Sequence, residues 1–169
     1  EVTNAPYGAG LRVSAAPCSV LPAPRDLPGY TEGAFIVQDP AHALITRFAA
    51  IPRGALVYDA CAAPGGKAVA LEAVGARMLA GDARHERLAR LADTTRRAGV
   101  AIRCMAANLE AAPLRPASVD AVLVDAPCSA TGTVRRHPDA RWRLHPAIFA
   151  RAARRQGRLL AAAAPLVRP

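Results

Sequence analysis

The sequence predicts an α/β fold in which a parallel sheet is covered by helices on both faces. Three observations carry that expectation. Short apolar runs alternate with helical segments between residues 55 and 124. A glycine-rich turn, Gly65-Gly66, separates the first of these runs from the helix behind it. Acidic residues close three of the runs, at Asp59, Asp82 and Asp125, where a doubly wound sheet collects its ligands.

In chain order, residues 1–34 read as an extended Pro- and Gly-rich lead-in with room for a short strand or two, and residues 35–169 as one domain. Phe35-Ile36-Val37-Gln38 is a candidate short strand. Asp39-Pro40 then resembles a cap followed by proline at the first helical position, with Ala41, Leu44, Ile45 and Phe48 on one apolar face. Pro52 and Gly54 end that helix. Ala55 to Tyr58 reads as a buried strand, Lys67 to Val74 as a helix, and Arg77 to Ala80 as a second strand closing on Gly81-Asp82. Arg84 to Ala98 is a helix whose inner face carries Leu88 and Leu91, with Gly99 as its stop. Ala101 to Met105 and Val119 to Val124 supply two more strands, and Pro146 to about Ala164 a long Ala/Leu helix.

Composition narrows the class. The 169 residues are 52% hydrophobic, yet no apolar run reaches the roughly 20 residues of a membrane helix. Cys18, Cys61, Cys104 and Cys128 show no metal-type spacing, so neither zinc nor a disulfide framework is expected, and a reducing, cytoplasmic setting is the default. The chain opens on Glu1 and reads as an excised piece of something longer. The net charge of +9 suits a polyanionic partner, although Lys67 is the single lysine and arginine is common throughout. The distribution is more telling: between Arg135 and Arg158 eight arginines face one acid, Asp139. A solvated basic face is the ordinary reading of such a block; phosphate contact is the functional one.

The chemistry concentrates in two stretches. Asp59-Ala60-Cys61-Ala62-Ala63-Pro64-Gly65-Gly66-Lys67 lies between strand and helix. It has neither the P-loop spacing nor G-x-G-x-x-G, so the residues themselves reach only a nucleotide-like ligand whose carboxylate meets a helix N-terminus. A tight structural turn is the plain alternative. Asp82, at the end of the next strand, is positioned to accept from ribose hydroxyls, or to cap the helix behind it. The second stretch, Asp125-Ala126-Pro127-Cys128-Ser129-Ala130-Thr131-Gly132, sets a carboxylate and a thiol at the sheet's carboxyl edge, facing the same crevice. An acid alone raises a thiol's pKa, so Cys128 is not activated by its neighbour.

These two stretches, followed by Arg135-Arg136-His137-Pro138-Asp139, resemble the RNA (cytosine-5)-methyltransferase family from about Leu27 onward. Residues 33–39 and 135–142 look most like its bacterial small-subunit rRNA members. The resemblance implies a Rossmann-like S-adenosylmethionine-dependent methyltransferase fold, with the parallel sheet truncated before its last strands. It implies that Cys61, Ala62, Ala63, Pro64, Gly65, Gly66 and Lys67 wrap the methionine end of S-adenosylmethionine, and that Asp82 takes the ribose. Asn108 matches a position that is normally Asp and contacts the adenine side, a departure that still leaves a donor and an acceptor. Asp125 is implied to sit by cofactor and target base and hold the cytosine edge, and Cys128 to assist product release. Ribosomal RNA is the implied partner, with Arg135, Arg136 and Arg141 as contacts and Trp142 either a stacking ring or a packing anchor.

The family's nucleophile is another cysteine, in a T-C-S motif on the strand after the long helix, and the chain ends at Arg168-Pro169, about where that strand is expected. Cys18-Ser19 mimics the motif but precedes the sheet and follows Pro17. Two other readings stay open. One is a non-catalytic RNA-binding scaffold of the same fold. The other is a DNA cytosine-5 methyltransferase, which would make Cys128 the nucleophile; the flanking residues fit the RNA family better.

Overall fold

The computed structural model describes residues 2–4, 11–13, 23–38, 40–134 and 137–169. Strands β1 (Val2–Asn4) and β2 (Leu11–Val13) form a small antiparallel ribbon within the lead-in. The domain is built on β3 (Leu56–Asp59), β4 (Arg77–Asp82), β5 (Arg103–Ala106) and β6 (Ala121–Leu123), all parallel and ordered β5-β4-β3-β6. Chain order therefore reverses between β3 and β6, and a crevice opens beyond their carboxyl ends. Beyond β6, Val167 forms one further parallel rung with Val119, supported by Arg168 N–H donating to the Val119 carbonyl at 2.9 Å.

Helices α2 (Gly66–Ala73), α3 (His85–Arg97) and α4 (Pro146–Ala163) connect or flank these strands. Two clusters form the core. Val57, Leu71, Met78, Ala80 and Leu91 are buried together on one side of the sheet. Tyr58, Leu109, Val119, Leu159, Ala163 and Leu166 are buried on the other. Leu91 is fully buried and Leu88 packs beside it, as the period of α3 requires; a side chain of this size contributes about 1.5–3 kcal/mol when removed from water. Tyr58 is also fully buried, and it fits because residue 81 is glycine: a Cβ there would stand 2.5 Å from the Tyr58 hydroxyl.

One expectation is corrected. Residues 35–38 form no strand and have no ladder partner among the described residues; Ile36 and Gln38 lie against Gly66 at the head of α2. Helix α1 (Pro40–Phe48) exists, but Leu44, Ile45 and Phe48 are exposed, Phe48 at 92%. Its periodicity is helical, yet those three side chains are not part of either core cluster. The expected cap at Asp39 lies outside the described residues.

The turn before this segment is tied to α3. The Arg97 guanidinium lies 3.9 Å above the Tyr30 ring, donates to the Tyr30 carbonyl at 3.0 Å and pairs with Asp93. Gly33 touches the Arg97 carbonyl so closely that no Cβ would fit there.

Candidate functional site

The turn after β3 and the loop after β6 meet at the reversal of strand order. Gly65 adopts φ +111° and precedes α2; a Cβ on it would lie 2.9 Å from Leu91 Cδ1, so the turn's shape and its seat on α3 both call for glycine. Lys67, in the first turn of α2, is buried and reaches across to Asp125, with Nζ 2.8 Å from Oδ2. A cavity of about 550 Å³ opens here, lined by Asp59, Cys61, Gly66, Lys67 and Asp125. Tyr30 of the lead-in, Ile36 and Gln38 from the segment after it, and Arg87 and Arg97 of α3 also line it.

Electrostatics in this cavity are set by burial. Asp59 is 1% exposed, and burial pushes its carboxyl up to about 7, with the charges of Asp125 and Asp82 adding and the Cys61 N–H and Lys67 opposing. Burial likewise raises the Cys61 thiol to about 11, with Asp59 next in effect, which keeps it protonated and unreactive. Asp82 is buried at the end of β4. Its Oδ1 accepts from the Arg84 N–H at 2.9 Å, while Oδ2 has no hydrogen bond and only the ion-pair approach of Arg87 Nη1 at 3.4 Å. Arg87 also donates to the Ala63 carbonyl at 2.6 Å, bridging the turn after β3 to the end of β4.

The remaining expected residues fall around this centre. Asn108 follows β5 and is exposed; its Oδ1 accepts from Glu110 N–H at 3.2 Å, capping a short 3₁₀ turn, and Ala107 N–H donates to the Asp82 carbonyl. Cys128 is exposed and its sulfur accepts from Ala130 N–H at 3.3 Å, but it lines a second cleft instead of the first. Arg141 stacks its guanidinium 4.7 Å from the Trp142 ring centroid, and Trp142 is 78% exposed, so it is no packing anchor. Arg135 and Arg136 lie outside the described residues. The sequence reading missed Gln38, Arg87, Arg97 and the raised Asp59; only Asp59 had a signal, as a carboxylate ending a buried apolar strand.

The donor set suits an adenosine cofactor bearing an amino acid: a free N-terminus at α2, a buried carboxylate oxygen at Asp82 lacking a hydrogen bond, and two further acids near the turn. The 16S rRNA methyltransferase RsmB/F family profile matches residues 50–169. The chain belongs to this family. Its fold is that of S-adenosylmethionine-dependent methyltransferases, and S-adenosylmethionine is the family's cofactor.

Among curated relatives, ribosomal RNA small subunit methyltransferase B of Vibrio vulnificus is 41% identical over 132 residues, covering 76% of this chain and 30% of the relative. The probable small subunit methyltransferase B of Synechocystis is 38% identical over 148 residues, 84% of this chain and 33% of the relative. The chain thus spans about a third of the length of these relatives. Among solved structures, PH0851 superposes with a TM-score of 0.89 at 30% identity, over all of this chain and 39% of that one. NSun6 from Pyrococcus horikoshii, solved with SFG, superposes with a TM-score of 0.77 at 23% identity, over 88% of this chain and 39% of that one.

Proposed function

We propose that this chain binds S-adenosylmethionine at the turn after β3 and supplies the cofactor- and base-holding half of an RNA (cytosine-5) methyl transfer, with small-subunit rRNA as substrate. The observation that carries the reading is the Lys67–Asp125 contact, which joins the cofactor turn to the Asp125 loop in a single cavity. SFG, an S-adenosylmethionine analogue present in the NSun6 structure, agrees with that cofactor.

The cofactor supplies an electrophilic methyl group. Gly65, Gly66 and the N–H groups opening α2 receive the carboxylate of its methionine part. Asp82 Oδ2 takes the ribose hydroxyls and Asn108 the adenine side. Asp59 and Asp125 provide negative charge for the cationic end. Asp125 also accepts from the amino group of the target cytosine, orienting the ring once it has been unstacked into the cavity.

Cytosine C5 becomes nucleophilic only after a thiolate adds to C6; C5 would then take the methyl, leaving S-adenosylhomocysteine, after which a base removes the C5 proton and the sulfur departs from C6 as thiolate. Neither Cys61 nor Cys104 is assigned the nucleophile's role: burial and the neighbouring Asp59 raise the Cys61 thiol, and Cys104, on β5, lines neither cavity. Cys128 is assigned to product release.

Calorimetric titration with S-adenosylmethionine, alongside Asp82→Ala, tests the reading. Saturable binding that the substitution weakens about tenfold or more, a loss of about 1.4 kcal/mol, is the expected result. A folded chain that binds no cofactor would favour a scaffold that kept the fold without the chemistry.

A further inference from the structure

A second cleft, of about 490 Å³, lies between α4 and the loop after β6, on the other side of the ridge formed by residues 125–128. Asp125 lines the first cavity; Pro127 and Cys128 line this one. Arg151, Arg154, Arg155 and Arg158 project into it from α4 at spacings of three and four residues, which on a helix is a single face about 10 Å long. Leu159 and Ala163, which continue the Arg155 stripe one and two turns on, are buried in the core and fix the rotation of α4 about its axis. Gln156 donates to the Pro127 carbonyl at 3.3 Å and fixes the helix to the ridge.

Charge in this cleft is unbalanced. Its one acid, Glu110, is committed to Arg158 at 2.7 Å. Arg151, Arg154 and Arg155 form no ion pair among the described residues. Like charges three and four residues apart destabilise a helix, and holding three guanidinium groups around a concavity compounds the repulsion. An anion with several oxygens removes that cost, and guanidinium forks match phosphate.

We propose that this cleft seats the sugar–phosphate backbone of the RNA strand, with Arg151, Arg154 and Arg155 as phosphate contacts, while the strand's target base crosses the 125–128 ridge into the Lys67–Asp125 cavity. The proposal rests on the RNA-directed function above and adds where the backbone lies. Continuity favours RNA over an acidic protein: the cleft adjoins the base-holding carboxylate across one loop.

The test compares the 169-residue chain with two triple variants of equal net charge, one Arg151→Gln/Arg154→Gln/Arg155→Gln and one Arg25→Gln/Arg90→Gln/Arg103→Gln. Fluorescence anisotropy measures binding of a labelled single-stranded RNA across a potassium chloride series, and calorimetry measures S-adenosylmethionine binding by each variant. Each lost phosphate contact lowers the slope of log K against log salt by about 0.7, so the cleft variant is expected to lose about two in slope and about tenfold or more in affinity. The control is expected to change far less, and both variants to keep cofactor affinity. Equal losses in the two variants, no loss in the cleft variant, or no RNA binding by the parent chain would overturn the proposal. So would a poly-aspartate peptide that binds through these arginines while RNA binding survives their loss. Cleft-dependent RNA binding without cofactor binding would instead sink the methyltransferase reading and leave the cleft standing.

Discussion

Lys67 Nζ stands 2.8 Å from Asp125 Oδ2, and the two ends of this pair differ sharply: the lysine side chain is 10% exposed, the aspartate 55%. The asymmetry predicts which half of the pair is missed. Asp125→Asn leaves a nearly buried ammonium without its carboxylate and is expected to cost about 1 kcal/mol, the open side of the pair being screened by solvent. Lys67→Met replaces the buried charge with an apolar chain of similar volume and is expected to be close to neutral for stability. Urea denaturation of the two variants checks this; a larger loss for Lys67→Met would show that the ammonium holds more than its one carboxylate.

Asp59 ties stability to pH in the direction opposite to a salt-bridged acid. Burial raises its carboxyl from 3.8 to about 7, so between those values the folded chain holds a proton that the unfolded chain has released. Stability from this group is present in full below the unfolded value and falls as pH rises through about 7, by at most about 1.4 kcal/mol per pH unit. Asp59→Asn keeps an acceptor for the Cys61 N–H and removes the titration. Urea midpoints at mildly acidic and mildly alkaline pH are expected to converge in the variant relative to the parent chain. An unchanged pH dependence would mean that Asp59 is already ionised in the folded state.

The same carboxyl makes cofactor binding a proton-coupled event. S-adenosylmethionine brings a sulfonium and an ammonium, and positive charge beside Asp59 favours its ionised form. Binding near neutral pH is therefore expected to release a fraction of a proton, and to release less with S-adenosylhomocysteine, which lacks the sulfonium. Titrations in buffers of different ionisation enthalpy measure the number directly. Release that is identical for the two ligands would place the proton elsewhere.

Much of this arrangement could be read from the chain because its determinants are local. Strand β3 ends where the apolar run meets Asp59, and α3 follows from Leu88 and Leu91 on one face with Gly99 behind. What escaped is long-range. Arg97 meets Tyr30 across 67 positions, and nothing in either neighbourhood announces the partner. Residues 35–38 have strand composition but pair with no strand among the described residues, so composition misled. Cys128 shares a motif with Asp125, yet three residues of turning chain carry it over a ridge into another cleft.

Arg87 is the residue on which the cofactor site is expected to depend without being part of the recognised motifs. It donates to the Ala63 carbonyl at 2.6 Å and approaches Asp82 Oδ2 at 3.4 Å, linking the turn proposed to receive the methionine end to the acid proposed for the ribose. Two consequences of Arg87→Ala oppose each other. Removing the guanidinium frees Asp82 Oδ2 for ribose, which favours binding; it also leaves that buried oxygen without a counter-charge and the turn without its anchor, which disfavours binding. The Ala63 contact is the shorter of the two, and an unanchored turn must be ordered again when ligand arrives, so weakening of about tenfold is expected to prevail. Arg87→Lys keeps the charge but cannot span both acceptors with one planar fork, and is expected to restore only part of the loss. Tighter binding in Arg87→Ala would mean that Arg87 occupies the place of the ribose in the ligand-free chain and must be displaced by it.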